Sequence, residues 1–233
     1  MMEQLLLDFE QLRAPVPCLD NFVVGDNVEL MAYLQRQTVR QENHYDVCCV
    51  FGVSGAGKTH LLRAIGKDRL GIYIDAAQEK ALENLSYEDE QHTAFIAIDH
   101  IDQLNDAGQQ RLFHLCNLAK EAKLALLVAA KQPPAELSLR KDLQLRLSQG
   151  IVYQLLPLSD EQKLSALKNY ANARDMVIAD EVLSYLLNRT SRDLSNLIGL
   201  LDIIDQASLS QQLRPTLPMV RQVLSAFQKR ESC

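Results

Sequence analysis

The octapeptide "GVSGAGKT", Gly52 to Thr59, sets three glycines, a lysine and a hydroxyl at the spacing G-x-x-x-x-G-K-T. Residues this small let a backbone turn tightly enough for successive N–H groups to converge on phosphate oxygens. Gly52, Ser54, Gly55, Ala56, Gly57 and Lys58 would line such a cradle. The helix that follows, opening with Thr59 and His60, would add a dipole that favours anions. Lys58 is expected to reach the β- and γ-phosphates, and the Thr59 hydroxyl to ligate Mg²⁺. Some 40 residues on, "TAFIAIDHID" runs through apolar residues into Asp99. A carboxylate there falls at the C-terminal end of a strand, where open α/β sheets bind ligands. Asp99 is expected to hold Mg²⁺ through water beside Thr59. The ligand chemistry this implies is a nucleoside polyphosphate with Mg²⁺.

A phosphate loop needs a strand before it and a helix after it. "DVCCVF" (Asp46 to Phe51) precedes the loop and the amphipathic "THLLRAIGKDRL" follows. Further strand candidates are "GIYID" (Gly71 to Asp75), "TAFIAID" (Thr93 to Asp99), "LALLVAA" (Leu124 to Ala130) and "IVYQLL" (Ile151 to Leu156). Short, nearly continuous apolar runs suit strands buried on both faces of a parallel sheet. The first two-thirds therefore reads as α/β with helices flanking a parallel sheet. Pro157 ends the last strand, and Ser159 with Gln162 forms a capping box that opens a helix. Helices are expected near 160–174, 180–189, 192–209 and 218–229, with no further strand.

With 47% hydrophobic and 23% charged residues, the 233-residue chain has the make-up of a globular protein. No run approaches the length a membrane helix requires, and the acidic opening "MEQLLLDFEQL" lacks the basic region of a signal peptide. A cytoplasmic protein is expected, with no membrane partner. The net charge of −6 argues against broad binding to nucleic acid. Five cysteines show no metal-binding spacing and read as buried free thiols. Cys48 and Cys49, neighbours in one strand, should face opposite sides of the sheet.

Taken together, these motifs resemble the AAA+ ATPases, in the branch of the bacterial replication initiator DnaA. "CLDNFVVGDNVEL" (Cys18 to Leu30) looks like the segment of that family that lines the adenine pocket. "LRLSQGIVYQLLPLSDEQK" and "TSRDLSNLIGLLDIIDQASL" then follow in the family's order. The resemblance implies an AAA+ P-loop sheet over residues 18–157 and a small all-helical lid over 158–233. Arg146, in "LQLRLSQG", matches the family's arginine finger, which acts on nucleotide held by a neighbouring subunit. Arg192, in "TSRDLSNL", matches the sensor 2 arginine, which leans from the lid onto the nucleotide. Two positions depart from the family. His100 follows Asp99 where a carboxylate is usual, and Lys131 follows the fourth strand where small polar or acidic residues are usual. Both departures predict nucleotide binding with poor intrinsic turnover.

No basic helix-turn-helix follows the lid in these 233 residues, which makes the description similar to the Hda-type regulators of DnaA. That resemblance gives the opening residues a meaning. "QLLLDF" places Gln4, Leu5, Leu7 and Phe9 as that type's peptide for the DNA polymerase sliding clamp (its beta subunit). "APVP" (Ala14 to Pro17) then serves as the linker that closes a segment of residues 1–17. The expected partners are DnaA, the clamp and a further copy of the chain, without sequence-specific DNA binding. The expected function is to promote hydrolysis of ATP on DnaA by lending Arg146 in trans. The competing readings are an AAA+ adaptor that recruits DnaA or helicase at DNA, and a self-sufficient ATPase or helicase loader.

Overall fold

The computed structural model describes residues 16–39, 47–68, 71–78, 80, 82, 95–122, 125–190 and 193–231. They fall into two units, Pro17–Pro157 and the stretch from Leu158 onward. In the first, strands β1 (Val47–Phe51), β2 (Ile72–Asp75), β3 (Phe95–Asp99), β4 (Ala125–Ala130) and β5 (Ile151–Gln154) form one sheet. Their order is β2-β3-β4-β1-β5 and every pairing is parallel. All five carboxyl ends therefore emerge along one edge.

Parallel neighbours need crossovers, and the helices that make them cover both faces. Side chains alternate across the sheet with period two and build two cores. On one face Val47, Cys49, Ile96, Ile98, Leu126 and Val128 pack with α3 (Asp106–Ala122) and α4 (Lys141–Ser148). On the other, Cys48, Val50, Ala97, Leu127 and Ala129 pack with α1 (Val28–Val39) and α2 (Lys58–Asp68). Cys48 and Cys49 thus part to opposite faces, as the alternation requires. Cys48, Cys49 and Cys116 are buried free thiols, whereas Cys18 is only half-buried. Burial pushes the thiols of Cys49 and Cys116 up to about 12.

β5 is shorter than its apolar run. The Leu155 N–H still donates to Phe51 O at 2.7 Å, but Leu156 leaves the sheet. Its N–H donates to Asn27 Oδ1 at 2.7 Å, and the Asn27 amide donates back to Leu156 O and to Val24 O, each at 3.0 Å. One buried side-chain amide replaces the next rung and ties the segment before α1 to the end of β5.

The second unit comprises α5 (Asp160–Asn172), α6 (Asp180–Arg189), α7 (Leu194–Gln211) and α8 (Leu217–Glu231). Ser159 and Gln162 cap α5 reciprocally, at 3.1 and 2.9 Å. Asp193 caps α7 by accepting from Ser195 N and Asn196 N, so that helix begins at Leu194 rather than at 192. Leu183, Leu186, Leu197, Ile204 and Val220 form its core. Within it, buried Asp202 accepts from Tyr170 Oη at 2.8 Å and pairs with Arg174 at 2.9 Å. Burial, with Asp202 alongside, pushes the Tyr170 phenol up to about 12. Among the described residues no helix is long and apolar enough to cross a membrane.

Gly150 joins α4 to β5 where the chain passes close to β1. A Cβ there would lie 2.3 Å from Val47 O and 3.1 Å from its carbonyl carbon, both backbone atoms. Gly150→Ala is expected to destabilise the protein by about 1–3 kcal/mol, as overpacking does. A lower urea midpoint with an unchanged slope would register it.

Candidate functional site

The carboxyl edge gathers the titratable groups. β1 ends at Phe51, and Gly52 N–H extends the ladder one rung by donating to Ala130 O at 3.2 Å. The chain then turns through Gly55 and Gly57, whose φ values of +77° and +99° favour glycine, and α2 starts at Lys58. Ser54 is exposed on this loop and Ala56 is buried beneath it. Lys58 Nζ curls back and donates to Gly52 O at 2.6 Å and Val53 O at 2.9 Å. Burial pushes its ammonium below the ordinary lysine range. Asp99 and Asp102 oppose that shift, and Lys131 adds to it. Two of three ammonium protons are engaged, which leaves one for an anion in the loop.

Asp99 is fully buried at the end of β3. The Thr59 hydroxyl donates to its Oδ2 at 2.6 Å, His100 N–H to its Oδ1 at 2.9 Å, and Tyr73 Oη to Oδ2 at 3.4 Å. Thr59 and Asp99 thus present adjoining hard oxygen donors, a set that fits Mg²⁺. Among the described residues no three His, Cys, Asp or Glu gather as a metal cage. Mg²⁺ is commonly held by one or two protein oxygens, completed by phosphates and water.

Asp75, Tyr73, Arg63 and Asp102 were not picked out from sequence. In the β2–β3 register Asp75 stands opposite Asp99. His100 turns the chain with φ +55°, bringing its Nδ1 within 2.9 Å of Asp75 Oδ1 and 3.8 Å of Asp99 Oδ2. Burial would raise the Asp75 carboxyl, but bonds from His100 and Ala77 N–H outweigh it and hold the group below its ordinary value. Tyr73 carries the Arg63 guanidinium 5.0 Å above its ring, and burial raises its phenol. Asp102 faces Lys131 at 3.4 Å. A signal for Asp75 was present: "IYID" and "FIAID" both end in Ile-Asp, so parallel pairing in register sets two carboxylates side by side.

The segment before α1 lies over the first turn of α2. Asn21 Oδ1 accepts from Cys18 N at 3.0 Å and lies 2.8 Å from His60 Nε2, while the Phe22 and His60 rings are 5.8 Å apart. Arg146 sits elsewhere. It is on α4, across the sheet from α2, where its Nη2 bonds Asn117 Oδ1 on α3 and its Nε is buried with no partner. Structure thus brings Lys58, Thr59, His60 and Asp99 to one edge and leaves Arg146 on another face. Arg192, Gln4, Leu5, Leu7 and Phe9 lie outside the described residues.

Comparison with known proteins matches both ends of this arrangement. A model of the bacterial DnaA ATPase domain matches residues 16–76, and one of the Hda lid domain matches residues 160–224. An uncharacterised protein of Haemophilus influenzae is 32% identical over 236 residues, covering 97% of this chain and 100% of its own length. Domain III of the replication initiation protein DnaA from Thermotoga maritima superposes with a TM-score of 0.72 at 21% identity, covering 91% of this chain and 97% of that one. AMPPCP-bound DnaA from Aquifex aeolicus gives 0.66 at 23% identity over 82% of this chain and 65% of its own. The Thermotoga maritima RuvB Holliday junction branch migration motor gives 0.63 at 20% identity over 90% and 72%. At such identities the structural likeness speaks to fold alone.

The depressed Asp75 carboxyl stabilises the fold fully above its ordinary value of 3.8, and the contribution is lost as pH falls below that toward the folded-state value. Asp75→Asn removes the titrating group. The stability gap between wild type and variant, from urea unfolding at about pH 6 and about pH 3, is expected to narrow at the lower pH. A gap that stays constant would remove the carboxylate as its source.

Proposed function

The chain belongs to the Hda-like branch of the DnaA-homologous AAA+ proteins, and from that premise we propose a clamp-bound regulator of replication initiation that binds ADP or ATP and lends Arg146 to ATP-loaded DnaA. In this reading residues 1–17 are the clamp peptide and linker, 18–157 the nucleotide-binding domain and 158–233 the lid. One observation carries it. The groups for binding are gathered at the sheet edge, while the position beside Asp99 holds His100, tied to Asp75, where a carboxylate would help polarise water.

The work of each residue follows from its place. N–H groups of the loop and of the α2 N-terminus bind the phosphates, and Lys58 neutralises their charge. Thr59 Oγ1 and Asp99 would hold Mg²⁺, and Phe22 and His60 flank the loop on the side proposed for the base. Arg192 is the residue this reading assigns to the family's sensor 2. Bound Mg²⁺ would neutralise phosphate charge and orient the phosphate oxygens. Gln4, Leu5, Leu7 and Phe9 anchor the chain to the clamp, which confines it near DNA under synthesis. Arg146 then completes the site of DnaA, where a guanidinium stabilises charge on the transferring phosphoryl group.

One feature favours the adaptor reading instead. A cleft of about 610 Å³ along α3 is lined by Arg111, His114 and Arg140 beside Phe113, a cationic and aromatic set that nucleic acid also uses. A gel shift with oligonucleotides separates the two: retention at physiological salt supports the adaptor.

With loaded clamp and ATP-bound DnaA, Arg146→Ala is expected to lower stimulated hydrolysis about a thousandfold while nucleotide binding by the variant stays intact. Full stimulation by that variant would remove the finger. Separately, Gln4→Ala combined with Phe9→Ala is expected to abolish clamp pull-down and leave nucleotide affinity unchanged. Lys58→Ala should do the reverse.

A further inference from the structure

α4 is fastened to α3 by two polar contacts of different kind. At its start Arg140 N–H donates to Gln109 Oε1 at 2.9 Å, and the buried Gln109 amide donates in turn to Leu104 O at 3.1 Å. Near its end Arg146 Nη2 donates to Asn117 Oδ1. The first bond holds backbone, the second only the head of a side chain. Leu143 and Leu147 of α4, both fully buried, share one core with Leu112, Leu115 and Cys116 of α3. Those leucines and Gln109 seat the helix without help from Asn117. Asn117 and Arg146 are both half-buried, at the rim of that core.

We propose that Asn117 is a positioning residue, whose amide oxygen holds the Arg146 guanidinium in the orientation that a phosphoryl group on the partner requires. The inference rests on the Arg146 reading above and adds to it the group that sets the direction of the fork. Asn117 meets no nucleotide in this scheme and acts through Arg146 alone.

A guanidinium carries five N–H donors in a rigid planar fork. In Arg146 the Nε–H is buried with no partner, and one Nη2 hydrogen goes to Asn117. Three N–H groups remain, enough for a bidentate grip on phosphate oxygens. Because the fork is planar, packing around Nε and a bond at Nη2 together fix the plane that those three share. Burial raises the Cys116 thiol and the Arg146 charge opposes that rise, which agrees with a head lying over α3. Removing the Asn117 oxygen frees the head to turn about its last side-chain torsions. A displacement of about 1 Å at a reacting group can cost about a hundredfold in rate, so direction matters here as much as charge.

The test follows hydrolysis of ATP on DnaA with loaded clamp, as the concentration of the full chain is raised. Asn117→Leu keeps the size of the side chain and removes the acceptor. It is expected to lower the maximal stimulated rate about 10- to 100-fold while the half-saturating concentration stays unchanged. Asn117→Asp keeps an acceptor oxygen and should recover part of that rate. Arg146→Lys keeps the charge but has no planar fork to direct, so in that background Asn117→Leu should cost about twofold at most. Full stimulation by Asn117→Leu, with Arg146→Ala still defective, overturns the positioning role and leaves the finger standing. An undiminished loss in the Arg146→Lys background, or a rate in Asn117→Asp no higher than in Asn117→Leu, equally overturns it. Full stimulation by Arg146→Ala overturns both.

Discussion

The rung from Gly52 N–H to Ala130 O, one step past the end of β1, is the contact on which the candidate site depends. It carries the parallel register of β1 and β4 into the loop, so the phosphate cradle begins from a fixed point in the middle of the sheet. β4 in turn pairs with β3, which sets Asp99 at the same edge. The far side of the loop is fixed by burial. Leu61, Leu62 and Ile65 of α2 enter the core beneath the sheet and are essentially inaccessible. At about 25 cal/mol per Å² of apolar surface, such residues hold a helix N-terminus far more firmly than the loop's own hydrogen bonds do. The Thr59–Asp99 bond at 2.6 Å is the result: two residues 40 positions apart are held in contact by strand pairing on one side and packing on the other.

What could be read in advance was whatever is local or periodic. Alternation along β1 separates Cys48 from Cys49, and the cap at Ser159 depends only on a residue three positions away. Spacing in a motif likewise places Lys58 and Thr59 at a helix start. The features that escaped reading depend on which elements become neighbours. Asn27 ends β5 from 129 residues away, through an amide that no pattern in either segment reveals. Asp75 matters because β2 pairs with β3 in one particular register, and His100 meets it because its backbone turns to positive φ. Arg146 could be singled out by resemblance, but its bond to Asn117 is a product of α3 packing on α4.

Charge around the edge is arranged so that each carboxylate has its own partner. Asp99 takes the Thr59 hydroxyl and His100 N–H, Asp75 takes the His100 ring and Ala77 N–H, and Asp102 faces Lys131. Three acids crowded along one edge would otherwise repel one another. Of these partners only Lys131 is both cationic and exposed. Lys58 is different. Its two carbonyl bonds lie inside the loop's curve, and its burial makes a neighbouring anion more valuable to it than any second carbonyl.

Arg146 shows the opposite arrangement, and the difference bears on what it can do. A half-buried guanidinium with an unpartnered Nε costs free energy that an exposed arginine would avoid. The bond to Asn117 offsets part of that cost and fixes where the rest of the fork points. A flexible surface arginine must lose much of its rotamer freedom each time it meets a phosphate, whereas one already held by α3 and α4 loses less. Stability is therefore given up on the α3–α4 face, in an element that carries no part of the phosphate edge. Within this chain the same guanidinium would be more stable in water or fully paired.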